Sequence, residues 1–297
     1  MKIKSVKFNF IMNFILTASN FIFPLITFPY VSRVLGASGT GKVFFAISVV
    51  SYFTMVAALG IPTYGIRTTA KVRDDQEKLN RTTQEILSIH LFMMLLVSIV
   101  YILAILFVPR FQSDRTLFLV VGVSILLDPL GVNWLYHGLE QYGYIAKRSI
   151  FLKFVGVILM FMFIHSPDDY VFYGVTSILA SAGSNVLNFI NLRKYVSLKP
   201  VGHYDIKQHL KPILILFAQV VAVNIYTNLD NVMLGFMKTD VDVGLYAAAV
   251  KVKTILTSLV TSLGAVLLPR LSYYIMEGRK KEFQTLIRKA YNFVIVI

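Results

Sequence analysis

Three charged side chains stand inside long apolar stretches of the sequence, where they could carry an ion or hold a substrate. Asp128 precedes Pro129 midway through one stretch, Asp230 lies in a second, and Lys251 lies in a third. Charges in the hydrocarbon core of a membrane are costly and usually face a cavity or a partner, so such residues are functional candidates. Asp128 and Asp230 are candidate ion-coupling groups; a bonded structural kink is the alternative for Asp128.

Asp230 and Lys251 stand at matching depths in neighbouring apolar segments. At 1.5 Å of rise per residue, Asp230 lies about 10 Å below one end of its helix, and Lys251 lies about 12 Å below the same end of the next helix. We therefore predict that the two residues pair. A structural ion pair explains this arrangement as well as a coupling or substrate site does, because pairing is how membranes tolerate charged groups.

No motif for covalent or metal-dependent catalysis accompanies these charges. The chain has no cysteine, which excludes disulfides, thiolate nucleophiles and Cys-ligated metals. Its histidines show no metal-ligand spacing, and the sequence contains no Gly-rich phosphate loop or nucleophile elbow. We predict no catalytic residue, no metal and no cofactor, and hence a protein that is not an enzyme.

Apolar segments long enough to cross a bilayer position these candidates. The sequence is 56% hydrophobic and 15% charged, whereas soluble domains carry about 25% charged residues. A helix of about 20 mostly apolar residues spans the hydrocarbon core. A ninth apolar segment begins at residue 290 and the sequence ends within it, so we expect a C-terminally truncated chain. The eight complete segments are 8–32, 43–66, 86–109, 116–139, 149–167, 170–192, 212–237 and 243–269.

Basic residues are distributed unevenly between the loops. Lys and Arg are concentrated in the N-terminal segment and in residues 67–85, 193–211 and 270–289, whereas the loops on the other side hold few. By the positive-inside rule this pattern predicts a cytoplasmic N-terminus. Topology and contact with anionic lipid then explain the net charge of +14, which argues against nucleic acid as a partner.

A glycine-containing hairpin pattern occurs twice in the sequence. Gly36 is followed by Gly41 and a new apolar helix, and Gly235 is followed by Gly244 and another. Both hairpins join an outward helix to an inward one, which predicts parallel repeats of six helices. We therefore predict an all-α integral membrane protein with a two-bundle exporter fold. The predicted division is a complete six-helix N-terminal bundle at 1–192, a cytoplasmic linker at 193–211, and part of a second bundle at 212–297.

Four motifs lie in order over most of the chain. They are TFPYVSRVLG at 27–36, NWLYHGLEQYGYIAKR at 133–148, DNVMLG at 230–235 and YAAAVK at 246–251. Together they resemble the polysaccharide-exporter branch of the multidrug/oligosaccharidyl-lipid/polysaccharide exporter superfamily. Within that branch, the motifs are similar to the Wzx-type flippases of O-antigen and capsule repeat units.

The resemblance implies a bacterial inner-membrane protein that moves undecaprenyl-diphosphate-linked oligosaccharide to the outer leaflet. Its partners would be this lipid-linked sugar, membrane lipids, a polysaccharide polymerase and glycosyltransferases. A diphosphate headgroup favours cations, so Lys251, Arg33 at the outer mouth and Arg67 at the inner end of the second span are the expected substrate-binding residues. Asp230 and Asp128 are the expected ion-coupling residues.

Two other functions fit the same sequence pattern. One is a multidrug exporter of the same superfamily, because a fold does not fix its substrate. The other is a membrane enzyme, such as a polymerase or ligase, that acts on the same lipid-linked sugars. Such an enzyme generally needs a large outer loop for its catalytic residues, and the outer loops here are short.

Overall fold

The computed structural model describes residues 6–254, the single positions 257, 267 and 274, and residues 277–296. Within these residues every regular element is a helix. A short 3-10 helix lies at Pro167–Asp169, and residues 240–254 are also helical. The α-helices are α1 (Val6–Ala58), α2 (Ile61–Val72), α3 (Gln76–Phe107), α4 (Pro109–Gln112), α5 (Arg115–Gly131), α6 (Asn133–Gly138), α7 (Tyr142–Phe163), α8 (Tyr170–Ala182), α9 (Ser184–Leu192), α10 (Lys207–Met237) and α11 (Lys280–Val296).

In the part of the chain that the structure describes, four helical segments are long and apolar enough to cross a membrane: Phe8–Val72, Gln76–Phe107, Arg115–Gly138 and Lys207–Met237. These helices confirm the predicted fold class, an all-helical integral membrane protein, whereas the two-bundle arrangement stays a prediction. The first segment contains two of the spans predicted from the sequence. The spans predicted at 149–167 and 170–192 correspond to α7 and to the successive helices α8 and α9. Most of the span predicted at 243–269 lies outside the described residues.

Gly36 divides α1 into two helices at the position where the sequence predicts a hairpin. Its φ of 66° and ψ of −175° are non-helical. A side chain is strained at such a φ, whereas glycine adopts it readily. The Thr40 hydroxyl donates to the Gly36 carbonyl oxygen at 2.7 Å, in the first turn of the second helix. We call the end of the helices beside Gly36 the outer end and the opposite one the inner end, following the topology expected from the sequence.

The bend expected at Asp128-Pro129 is present a few residues later. Helix α5 ends at Gly131, and Val132 adopts a left-handed conformation with φ of 38° before α6 begins. Proline removes an amide donor and obstructs the preceding turn, so a helix commonly ends or bends near it. The consequence is that Asn133 and the residues after it turn away from the α5 axis and pack among α2, α7 and α9.

Three buried apolar clusters hold the described helices together, and the two larger ones lie at opposite ends. The outer cluster includes Phe45, Tyr101 and Phe118, with the rings of Phe45 and Phe118 in edge-to-face contact at 5.8 Å. The inner cluster includes Leu79 and Trp134. Helix α10 contributes to the inner cluster through Ile213, and Val243 just beyond α10 contributes to the outer cluster.

The chain forms two compact units, Met1–Leu245 and Tyr246–Ile297. The first holds α1 to α10. The second holds the remainder of the helical residues 240–254, and α11. The repeat predicts a first bundle at 1–192, a linker at 193–211 and a second bundle at 212–297. This division says which bundle each helix belongs to, and it stays a prediction.

Candidate functional site

The two glycine-containing hairpins of the predicted repeat pack against each other at the outer end. A methyl group on Gly41 would overlap the carbonyl oxygen of Asp240, and one on Gly244 would overlap the carbonyl oxygen of Ala37. The offset between Gly41 and Gly244 equals that between Ala37 and Asp240. The contact is therefore reciprocal, as it is across a two-fold axis. Only glycine lets the two backbones approach so closely.

Arg110 of α4 bonds to residues of the second hairpin and lies against α1. Its Nε donates to the Gly235 carbonyl oxygen at 2.9 Å, and its guanidinium pairs with the Asp240 carboxylate. The guanidinium also lies 5.0 Å from the centre of the Phe45 ring, and a side chain on Gly235 would overlap that ring. We call Ala37, Gly41, Arg110, Asp240 and Gly244 the outer contact.

A second set of charged side chains lies beside the outer contact, next to Gly41 and Arg110. Lys42 Nζ lies 2.9 Å from Asp114 Oδ1, and the Tyr170 hydroxyl donates to the same oxygen at 3.0 Å. The ammonium group also lies 4.6 Å from the centre of the Tyr170 ring. The Asp114 side chain is only 5% exposed, and these bonds join α1, α5 and α8 around it. The surface that receives the second hairpin is therefore fixed in place.

At the inner end, two buried side chains and one partly buried tyrosine join α10 to α2 and α3. His209 Nε2 lies 2.7 Å from Glu85 Oε2, and the Tyr64 hydroxyl lies 2.7 Å from His209 Nδ1. The side chains of Glu85 and His209 are 1% and 3% exposed. The Asp205 amide donates to the other carboxylate oxygen of Glu85 at 2.7 Å. We call Tyr64, Glu85 and His209 the inner contact.

Helix α10 is thus anchored at both ends and largely exposed in the middle. Its buried residues are His209 and Ile213 at the inner end and Asn231 and Gly235 at the outer end. Between them Tyr226 is 82% exposed. A hydrogen bond from the Tyr52 hydroxyl of α1 to the Asn224 carbonyl oxygen, at 3.3 Å, also reaches this middle section. Because its buried residues lie near its two ends, α10 is suited to lose one anchor while the other persists.

Four of the five predicted site residues lie in the first compact unit, and they do not converge. Arg33 in α1 and Arg67 in α2 are exposed, and among the described residues neither forms an ion pair or hydrogen bond. Asp128 Oδ2 lies 3.1 Å from Nε2 of His90, whose side chain is 3% exposed. Asp230 is exposed on α10. The contact between Asp128 and His90 is compatible with an ion-coupling role for Asp128, and it is equally compatible with a purely structural pair.

Lys251 lies in the second compact unit, where it is partly buried in the helical residues 240–254. Its pairing with Asp230 therefore stays a prediction. Sequence reasoning did not identify Arg110, Glu85 or His209, although each is charged or titratable beside an apolar segment. Their partners lie more than a hundred residues away along the chain, so no local pattern marks them.

Arg148 in α7 is a buried cation that the sequence analysis did not single out. Its Nη1 donates to the Ser184 hydroxyl at 2.7 Å, and its Nη2 donates to Asn133 Oδ1 at 2.6 Å. The rings of Tyr144 and Tyr136 lie 5.6 and 6.0 Å from the guanidinium carbon. No carboxylate pairs with Arg148 among the described residues. The guanidinium fork therefore joins α6, α7 and α9 through neutral acceptors and aromatic faces.

We expect Arg148→Lys to destabilise the protein even though the charge is kept. A lysine cannot bond both acceptors in the fork geometry, and each hydrogen bond to a charged group is worth about 1.5–3 kcal/mol. The melting temperature in detergent should fall by several degrees. Lys147→Arg, the reverse exchange at an exposed neighbour, is the matched control. Equal melting temperatures for Arg148→Lys and the unmodified protein would contradict the assignment.

Comparisons with known proteins agree with the helical membrane architecture. A family model described as "Polysaccharide biosynthesis protein" matches residues 6–275. The "Putative O-antigen transporter" of Escherichia coli (strain K12) is 23% identical over 282 residues, which cover 93% of this chain and 67% of that protein. The protein of the same name from Shigella dysenteriae is 24% identical over 269 residues, covering 90% and 67%. No solved structure matches the chain.

Proposed function

This chain belongs to the polysaccharide biosynthesis protein family, and we propose that it turns polyprenyl-diphosphate-linked oligosaccharide from the inner to the outer leaflet of the bacterial cell membrane. It is a membrane transporter and not an enzyme. The observation that carries the proposal is the family match over residues 6–275, which spans α1 to α10 and the helical residues after them. The names of the two relatives point to the same class of cargo.

The proposed architecture has two bundles that face each other across a cavity. In it, α1 to α9 form the first six-span bundle, α10 begins the second, and the N-terminus is cytoplasmic. The reciprocal packing of Gly41 and Gly244 supports this proposal, because a contact of that kind is expected between hairpins related by a two-fold axis. The outer contact and the inner contact would then open in alternation during a transport cycle.

The proposed substrate site uses cations for the diphosphate and leaves the polyprenyl tail in lipid. Lys251 would hold the headgroup in the membrane, with Arg67 on the inner path and Arg33 on the outer path. The exposure of both arginines supports this role, because their guanidinium groups are available to an anionic ligand. Coupling to an ion gradient through Asp128 or Asp230 is the corresponding proposal for energy input.

We expect Lys251→Ala to abolish surface polysaccharide without loss of protein from the membrane. The experiment deletes the gene in its host, restores it with each variant, and measures both surface polysaccharide and the lipid-linked precursor that accumulates inside. Lys253→Ala is the matched control, because Lys253 is an exposed lysine in the same helical stretch. Full export by Lys251→Ala would remove this residue from the site. Normal polysaccharide in the deletion strain would overturn the function itself.

A further inference from the structure

A pocket lined by both apolar and polar side chains opens at the inner end between α1, α2 and the turn from α6 to α7. Its volume is about 380 Å³, which falls in the range of ligand-binding pockets of about 300–1,000 Å³. Its polar lining consists of the side chains of Asn9, Asn13, His137, Glu140 and Tyr142. The surrounding surface of α1 is strongly apolar, with Phe10, Ile11 and Phe14 all more than 40% exposed. A cluster of hydrogen-bonding groups in such a surface is therefore a candidate site.

The charge of the pocket argues against an anionic ligand. Among the residues that the structure describes, no lysine or arginine lines it, and its one carboxylate, Glu140, is paired with Arg73 Nη1 at 2.6 Å. The hydrogen bond to Glu140 raises the pKa of Arg73, so the guanidinium stays protonated. The pair is nearly neutral, and the carboxylate rather than the guanidinium lines the pocket. In the described lining a phosphate would meet a carboxylate and no cation, whereas a neutral ligand rich in hydroxyl groups would meet no repulsion.

The polar groups of the pocket are held in fixed positions. Glu140 adopts a left-handed backbone conformation with φ of 55°, which is strained for a residue with a side chain. Its second oxygen accepts a hydrogen bond from Asn9 Nδ2 at 3.2 Å. The rings of His137 and Tyr142 meet edge to face at 5.3 Å. Strain retained at a site of converging polar groups is typical of ligand-binding positions.

We infer that this pocket receives the sugar part of the lipid-linked oligosaccharide on the cytoplasmic side, an inference that rests on the proposed function. Sugar hydroxyls both donate and accept, and the lining offers amides, an imidazole, a carboxylate and a phenol that can meet both needs. The aromatic rings of Tyr142 and Phe10 offer apolar surface to a sugar ring. Ile66 lines the pocket, and Arg67 follows it directly. The diphosphate would therefore bind beside the sugar rather than in the same pocket.

The absence of cysteine from the chain makes this inference testable by protection from labelling. Single cysteines are placed at Asn13 and Ala70, which line the pocket from α1 and α2, in protein reconstituted in nanodiscs. Lys71→Cys is the matched control, one residue beyond Ala70 and outside the lining. A water-soluble maleimide is added with one of two probes. These are the repeat-unit oligosaccharide released from the host's lipid carrier by mild acid, and inorganic diphosphate.

The released oligosaccharide should slow labelling of Asn13→Cys and Ala70→Cys by about fivefold at a concentration several times its Kd, and leave Lys71→Cys unchanged. Inorganic diphosphate should slow labelling at neither pocket position. Equal labelling with and without oligosaccharide, or protection by diphosphate, would overturn the sugar assignment. Either result would leave the proposed function standing if deletion of the gene still abolishes surface polysaccharide. Normal polysaccharide in the deletion strain would remove the proposed function instead.

Discussion

Gly41→Ala is expected to hold the outer end open and to stop export. The added methyl group would overlap the carbonyl oxygen of Asp240 and come within 2.8 Å of the Gly244 nitrogen, both of which belong to backbone that cannot rotate away. Overpacking of this kind costs about 1–3 kcal/mol. A cost of that size shifts an equilibrium between closed and open outer ends by roughly 5- to 150-fold. Surface polysaccharide in the complemented deletion strain should fall accordingly.

A cysteine at Val243 reports the opening directly. Val243 is fully buried in the outer cluster, so its thiol should react with a membrane-impermeant maleimide only when the second hairpin moves away. Labelling from outside the cell should be faster in Gly41→Ala than in the Val243→Cys protein alone. Gly244→Ala should have the same effect, because the contact is reciprocal.

Gly39→Ala is the matched control within the first hairpin. A methyl group there would approach the Leu35 side chain at 3.0 Å and the Pro167 carbonyl oxygen at 3.3 Å, and neither belongs to the second hairpin. Small shifts can absorb these contacts, so export should be retained at nearly the normal level. Normal export and slow labelling in both Gly41→Ala and Gly244→Ala would mean that the outer contact is not a gate.

The sequence allowed the helical membrane class and the glycine hairpins to be predicted because both leave local signals. Apolar segment length follows directly from bilayer thickness. Gly36 is recognisable because it ends an apolar segment where the chain must turn, and its positive φ agrees with that prediction. What the sequence did not reveal is that the second glycine of each hairpin packs against the other hairpin. That contact depends on how distant segments meet.

Charged residues were predicted less well, for a related reason. Depth in an apolar segment singles out Asp128, Asp230 and Lys251, but depth does not identify a partner. The structure gives Asp128 a partner in His90, which sequence position alone did not suggest. Arg148 ends a motif that carries the family resemblance. Its observed contacts join helices within the first unit, so this part of the motif reflects packing at least as much as transport chemistry.

The inner contact should be worth several kcal/mol, and a double-mutant cycle can measure it. Removing one partner of a buried hydrogen bond costs about 1–3 kcal/mol, and more where the group left behind is charged, because that group has lost its hydration without gaining a partner. His209→Ala leaves the Glu85 side chain, which is 1% exposed, without its imidazole partner. Glu85→Ala leaves the His209 ring and the Asp205 amide without the carboxyl group that they contact. Each single variant should therefore melt well below the unmodified protein in detergent.

The double variant should lose much less than the sum of the two single losses, because neither side chain is then left buried without its partner. Tyr64→Phe is the milder control: it removes one hydroxyl from His209 Nδ1 and leaves the pair with Glu85 intact. Additive losses in the cycle would contradict a coupled buried pair. If the coupling is found, the anchor of α10 at the inner end is an interaction that must be broken before the proposed second bundle can move there.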